Sequence, residues 1–277
     1  PAAASMAVAT VVLFGLSLTF VQVVGLRPKV LLLDALIITA VLLVGYQIGT
    51  RVLGMDRETT LLTSAGSAIC GAAAVLATES TIRSKPAAAS MAVATVVLFG
   101  SLAMLTYPLL YPWLGMDEGL FGVYIGATVH EVAQVVAAGD AVGPDALANA
   151  VIVKLVRVML LVPFLLVVGQ WWLRQPTLDG AEASGQGAHK AKLVIPWFAL
   201  GFIAMVGVNS VVTLPAPLHS GLVLAGQIAL TMAMAALGIN TRMSRLKALG
   251  VKPFLLALIL FVLLVVGGGV ASALLMG

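Results

Sequence analysis

The feature that most limits what this chain can fold into is the recurrence of apolar stretches long enough to cross a bilayer. About 20 apolar residues in a helix span the ~30 Å hydrocarbon core, and a spanning helix satisfies its own backbone polar groups. The pattern predicts an all-α integral membrane protein, a polytopic bundle in one domain. Nine spans are predicted, with ends good to about 2–4 residues: 1–15, 30–50, 61–78, 88–112, 120–138, 147–173, 194–213, 219–238 and 253–275.

The composition excludes an ordinary soluble domain. With 61% hydrophobic and 9% charged residues and a mean hydropathy of +1.12, the chain has too little polar surface to cover a soluble fold. The formal charge of +4 does not indicate nucleic-acid binding, because the basic residues are scattered singly through the loops. Nine Lys and Arg in the loops at 51–58, 174–192 and 242–252 predict that these loops are cytoplasmic.

One exact repeat has no architectural meaning. Residues 1–15, "PAAASMAVATVVLFG", are identical to residues 86–100 and then diverge at once. Structural repeats drift in sequence while keeping their hydrophobic pattern, so we interpret the duplication as an artefact. The chain also begins with Pro1 instead of methionine, and we expect it to be N-terminally incomplete.

Polar residues within the predicted span 120–138 indicate a surface that faces the bundle interior. At 100° per residue, Gly122, Gly126, His130 and Gln134 form one stripe, with Glu131 at its edge. Glycines allow neighbouring helices to approach closely, and ionisable groups inside a membrane mark functional sites. We therefore predict that the three polar residues bind substrate, and that the histidine and the carboxylate exchange protons.

Two basic residues lie in the following predicted span. Lys154 and Arg157 are three residues apart and share a helix face, at a cost of ~2.5–3.5 kcal/mol each at helix centre. They either snorkel, neutralise Glu131 or bind substrate. Two cations against one carboxylate predict a site that favours an anion. Asp34, early in the second span, is interpreted as a solvated residue near the membrane interface.

The stretch "LLTSAGSAICGAAAVLA", residues 61–77, is rich in small side chains. Ser64, Gly66, Ser67 and Gly71 fit either tight helix packing or an interrupted helix, because glycine permits unwinding. The N-terminus of a half-helix would bind an anion. We expect non-helical backbone or a helix end within 64–71, near the bilayer midplane, and assign these four residues to the substrate site.

An enzymatic function is not predicted. "HEVAQ" differs by one residue from the zinc motif H-E-x-x-H, but Gln134 is a poor zinc ligand and the carboxylate of Asp179 lies in a polar loop. An intramembrane metalloprotease is therefore disfavoured, and no metal or cofactor is expected. The sequence contains no G-x-x-x-x-G-K-[ST], so direct drive by ATP is not expected either.

Five segments, in order and with ordinary spacing, resemble the bacterial YeiH-like family of proposed sulfate exporters. They are "GSAICGAAAVLAT", "ATVVLFGSLAMLTYPLL", "FGVYIGATVHEVAQVVAAG", "KLVRVMLLVPFLL" and "ALGINTRMSRLKALGVKPFLLAL". The resemblance implies the fold of the cation–proton antiporter and anion transporter grouping, an inverted-repeat bundle of about ten or eleven helices with discontinuous helices crossing near the midplane. It points to the same candidate residues: Gly66 to Gly71, His130, Glu131, Gln134, Lys154 and Arg157.

Residues and resemblance together predict a secondary transporter that exports a small anion, such as sulfate or a related sulfur oxyanion, by alternating access. A proton or sodium ion is the expected coupling ion, the bacterial inner membrane the expected location, and a homo-oligomer is compatible with the sequence. Two alternatives stay open: an ion-coupled organic acid transporter of the same fold, and an uncoupled channel.

Overall fold

The computed structural model describes Leu16 and residues 28–174, 197–212, 215, 217–222, 224–226, 228, 232 and 250–277. The predicted span 1–15 and most of 219–238 lie outside these residues. Regular structure in the described part is helical: α1 Pro28–Gln47, α2 Arg57–Ala68, α3 Ala72–Ile82, α4 Pro86–Leu114, α5 Glu118–Thr128, α6 Val132–Asp140, α7 Pro144–Met159, α8 Leu161–Leu173, α9 Trp197–Val211, α10 Val251–Val262 and α11 Gly268–Met276.

Four of the predicted spans are helical segments long and apolar enough to cross a membrane: Pro28–Val52, Pro86–Leu114, Pro144–Leu173 and Val251–Met276. Two of them contain π-helical turns. Ile48–Val52 extends α1, and Leu263–Gly267 joins α10 to α11. The count of nine spans is not confirmed by the described residues.

The predicted spans 61–78 and 120–138 are each two half-helices. The first is split into α2 and α3 at residues 69–71, and the second into α5 and α6 at residues 129–131. Half-helices of 9 to 12 residues are about 14–18 Å long. Each half-helix is therefore about half as long as a helix that crosses a hydrocarbon core of ~30 Å.

The two breaks have different local causes. In the first, Gly71 adopts a φ of +64°, which glycine tolerates and other residues avoid; the helix end expected within 64–71 is thus found. In the second, Val129 and Glu131 are extended, with ψ of 143° and 151°. The interpretation of Gly122 to Gln134 as one continuous stripe was wrong, because α5 ends at Thr128.

Close packing of α5 on α7 places the site. A Cβ atom on Gly122 would lie 2.4 Å from the carbonyl oxygen of Ala146, and one on Gly126 would lie 2.4 Å from that of Ala150. The two helices are therefore in backbone contact, as small residues permit in membranes. This contact brings the basic face of α7 against the second break.

Candidate substrate site at the paired helix breaks

Lys154 of α7 connects the two breaks. Its Nζ atom donates hydrogen bonds to the carbonyl oxygens of Ile69, at 2.7 Å, and Val129, at 2.8 Å. These carbonyls end α2 and α5, where a helix carries partial negative charge and unsatisfied acceptors. One fully buried ammonium group therefore holds two interrupted helices side by side.

Arg157, one turn further along α7, binds the same two helix ends. Its Nε donates to the carbonyl of Ala68 at 2.7 Å, its Nη1 to that of Ala127, and its Nη2 to that of Ser67 at 3.4 Å. Both basic side chains are fully buried, so neither snorkels. Their donors go to carbonyl groups, which excludes the interpretation that they serve only to neutralise Glu131.

Glu131 occupies the opposite ends of the half-helices. It is the residue that precedes α6, and its Oε1 accepts a hydrogen bond of 3.2 Å from the amide of Ala72, which begins α3. Gly71 makes room for it, since a Cβ there would lie 2.5 Å from Glu131 Cγ. A single half-buried carboxylate thus lies where the N-termini of two half-helices converge.

Gln134 and His130 complete the second break. Gln134 Oε1 accepts from the backbone amide of Glu131 at 3.1 Å, and its side chain packs on Gly100 of α4. His130 is 1% exposed, and its Nδ1 has no hydrogen-bond partner among the described residues. His130 and Gln134 are buried, as expected of side chains that face the bundle interior, whereas Glu131 is half-buried.

The candidates on α2 divide into two groups. Ser64 donates to the carbonyl of Thr60 at 2.8 Å and packs against Gly45 of α1. Ser64 therefore lies away from the break. Gly66 packs against side chains of α3 and α4, but its carbonyl oxygen accepts a hydrogen bond of 2.9 Å from the amide of Gly71, so it belongs to the helix end at the first break. Ser67 does lie near it, because its carbonyl receives Arg157 and its buried hydroxyl has no partner in the described part.

Sequence reasoning missed Asp34. It is 0% exposed, and neither carboxylate oxygen has a hydrogen-bond partner in residues 28–174 or the other described segments. The interpretation as a solvated interface residue was wrong, since Asp34 lies on the face of α1 that packs against other helices. The signal was available: Asp34 is an ionisable residue inside an apolar span, the criterion that singled out Glu131.

Asp34 also corrects the charge count of the site. Lys154 and Arg157 are buried cations on α7, which packs against α1. The charged set is therefore two cations and two carboxylates, the buried Asp34 and the half-buried Glu131, and its formal charge is zero when both carboxylates are ionised. The predicted surplus of positive charge exists when a carboxylate or His130 binds a proton.

The geometry does not support zinc binding by "HEVAQ". Residues 129–131 form the break, so His130 and Glu131 do not share a helical face with Gln134, as the zinc motif requires. No cluster of three or more His, Cys, Asp or Glu occurs in the part of the chain that the structure describes.

Comparisons with known proteins define the family. Residues 4–257 match the family described as Conserved hypothetical protein 698. A UPF0324 membrane protein of Pseudomonas aeruginosa is 48% identical over 267 residues, which cover 94% of this chain and 74% of that protein. The chain belongs to the UPF0324 family. The UPF0324 inner membrane protein YeiH of Escherichia coli K12 is 45% identical over 261 residues, 94% of this chain and 73% of that protein.

Membership of the UPF0324 family confirms the resemblance to YeiH-like proteins. A third relative, from Salmonella typhi, is also named an inner membrane protein and is 45% identical over 266 residues, 95% of this chain and 74% of its own length. With the apolar helices described above, this makes the chain a multi-pass protein of the bacterial inner membrane. The names of these relatives state a location and no substrate. No solved structure matches the chain.

Proposed function

We propose that this UPF0324 chain is a secondary active transporter of a small anion, with its substrate site at the paired helix breaks. The observation that carries the proposal is the position of Glu131, a carboxylate held at the N-termini of two half-helices. Helix N-termini attract anions through free N–H groups and partial positive charge. Glu131 therefore occupies the place that a substrate anion would take.

On binding, the substrate anion would replace the Glu131 carboxylate at the N-termini of α3 and α6. When Glu131 takes up a proton, its hold on the Ala72 amide weakens, and the N-termini of α3 and α6 become available to the substrate. Deprotonation returns the carboxylate and displaces the substrate. Proton uptake and anion binding are thereby linked, and each must strengthen the other by the same factor. His130, the neighbouring residue, is the second group proposed to exchange protons in this step.

Lys154 and Arg157 have a mechanical role in the proposal. Each bonds to both broken helices, so α2 and α5 are tied to α7 as one unit. Alternating access in transporters with broken helices is largely a rocking of such units around a fixed site. Broken backbone within a membrane is tolerated where protein encloses it or where it lines a cavity, which is the situation here.

The resemblance described above favours sulfate or a related sulfur oxyanion as the substrate. The charge count is compatible with this, because each proton bound by a carboxylate leaves one positive charge for the substrate to neutralise. Export would follow if the emptied carrier returns with its protons bound. Organic acids satisfy the same charge argument and belong in the test.

The proposal is tested with the full-length protein in liposomes. Uptake of labelled sulfate, sulfite, phosphate and citrate is measured with and without an imposed pH gradient. We expect gradient-driven accumulation of one anion by the wild type, and Glu131→Gln should lose the dependence on the gradient. Asp140→Asn removes an exposed carboxylate at the end of α6 and should behave as wild type. Conductance without coupling, or no movement of any anion, would overturn the proposal.

A further inference from the structure

The fully buried carboxylate, Asp34, lies outside the paired breaks, and a second buried group without a partner lies on a neighbouring helix. Ser272 of α11 is 0% exposed, and its hydroxyl has no hydrogen-bond partner in the described residues. Helices α1 and α11 are in contact. Three polar oxygen atoms of one helix pair are thus withdrawn from water without partners, which is rare in folded proteins.

The register of α1 against the α10–α11 segment places Asp34 and Ser272 at about the same height along the helix axes. A Cβ on Gly49 would lie 3.1 Å from Leu256 Cδ2, and one on Gly45 would lie 3.1 Å from Leu260 Cδ1, so α1 runs antiparallel to α10. Asp34 is eleven residues before Gly45, and Ser272 is twelve residues after Leu260. The π-helical turn at Leu263–Gly267 absorbs the extra residue.

We propose that Asp34 is a proton-binding site that supplies a second coupling proton to the transporter. Leaving an ionised carboxylate buried without a hydrogen bond costs several kcal/mol, and a protonated carboxyl group is neutral and avoids most of that cost. Asp34 and Ser272 are not hydrogen-bonded to each other, since both are without a partner in the described structure. No hydrogen bond joins Asp34 to Lys154, Arg157 or Glu131 either, so its carboxyl group is not part of the hydrogen-bond network that holds the breaks.

The titratable groups around Asp34 favour a proton over a metal cation. Arg157 and Lys154 are buried cations of α7, which packs against α1, and two cations on a neighbouring helix oppose the binding of a metal ion. Asp34 and Ser272 also supply fewer oxygen ligands than such an ion requires. The other titratable groups on elements packed against α1 are Arg51, Arg57 and Glu58, Glu118 and Tyr124, Asp145, and Lys252.

Most of these groups lie far from Asp34 along the bundle. Gly49 contacts Thr60 and Leu256, so the basic and acidic groups at residues 51–58 and Lys252 are at the other end of α1, about 22 Å away at 1.5 Å per residue. Glu118 accepts from the amide of Asp145, and the hydroxyl of Tyr124 donates to the Val265 carbonyl. The two cations of α7 are the charges that a proton on Asp34 would release.

The second proton determines the charge of the anion that the site can neutralise. With Asp34 and Glu131 both protonated, the charged set carries two uncompensated positive charges, which match a divalent oxyanion such as sulfate. The coupling rests on the proposed transport function, whereas proton binding by Asp34 does not. The test therefore has one arm that requires no transport.

The first arm is infrared difference spectroscopy of the purified full-length protein over a pH titration. Two carboxyl groups are proposed to bind protons, so the C=O stretch should have two components in the wild type and in Asp140→Asn. Asp34→Asn should lose one component and keep the one from Glu131. Asp34→Glu restores a carboxyl group and should restore a band, which separates loss of the acid from misfolding.

The second arm measures the affinity of the transported anion against pH. The slope of the logarithm of affinity counts the protons taken up with the anion, and it should fall by about one in Asp34→Asn relative to the wild type. A carboxyl band unchanged in Asp34→Asn, or a band that responds to Na⁺ instead of pH, overturns the inference. A band that titrates as expected in a protein that moves no anion overturns the transport proposal alone.

Discussion

The ammonium group of Lys154 and the carbonyl oxygen of Ile69 are joined by a 2.7 Å hydrogen bond across 85 positions of sequence. The same nitrogen holds Val129, so a single side chain fixes the relative position of two broken helices. Because both carbonyls are shielded from water, no solvent molecule can easily replace the donor. The predictions below follow from this arrangement.

Lys154→Met should destabilise the fold. The change leaves the carbonyls of Ile69 and Val129 without a donor, and we expect a loss of about 2–5 kcal/mol of unfolding free energy. Thermal unfolding of the full-length protein in detergent measures it. Lys252→Met, at an exposed lysine of α10, is the matched control and should change stability by less than about 0.5 kcal/mol. Equal effects of the two substitutions would contradict the bridging role.

Gly71→Ala should disrupt the first break and its contact with Glu131. The residue has a φ of +64°, and a Cβ would lie 2.5 Å from Glu131 Cγ. Gly115→Ala is a partial control, since Gly115 has a φ of +63° and nothing within 4 Å of its Cβ position. With a ψ of 18° Gly115 is in the left-handed helical region, where alanine costs about 1–2 kcal/mol, whereas Gly71 has a ψ of −133°, outside that region. Gly71→Ala should therefore lose more stability and transport than Gly115→Ala, through both backbone strain and the contact with Glu131.

Gly122→Ala should separate α5 from α7. The added Cβ would meet the carbonyl oxygen of Ala146 at 2.4 Å, and overpacking of this kind costs about 1–3 kcal/mol. In Gly267→Ala the nearest atom, Leu263 Cδ1, is 3.4 Å away, so that variant should be neutral or more stable. Denaturant or thermal titrations compare them; a neutral Gly122→Ala would show that close helix contact is dispensable.

His130→Gln should flatten the pH profile of anion affinity. The buried Nδ1 of His130 has no partner in the described structure, so the ring is available to exchange a proton next to Glu131. Glutamine keeps a polar side chain of similar reach but cannot titrate. Affinity is measured by competition binding over a pH series in wild type and variant. Superimposable profiles would assign His130 a structural role.

Several features of the site could be predicted from the sequence, because each depends on residues that are close together in the chain. Apolar run length predicted the four long helical segments, and the small residues ending at Gly71 indicated the first break. The cost of charge in lipid identified Lys154, Arg157 and Glu131 as unusual. Each of these arguments uses one segment at a time.

The second break and the burial of Asp34 could not be predicted from residues close together in the chain. Residues 129–131 contain neither glycine nor proline, so the local pattern favoured one continuous helix. Its interruption is stabilised by partners elsewhere: Lys154 on the Val129 carbonyl, and the Ala72 amide on Glu131. The burial of Asp34 likewise depends on helices from later in the chain that pack against α1.

The sequence by itself determined that this chain is a helical membrane protein and which of its residues are costly to bury. Only the tertiary structure decided what those residues bind. Hydrophobic length and helical period are set by residues close together in the chain, whereas the partner of a buried charge is set by which helix ends meet it. Here Arg157 meets Ala68, 89 positions away, and Glu131 meets Ala72, 59 positions away.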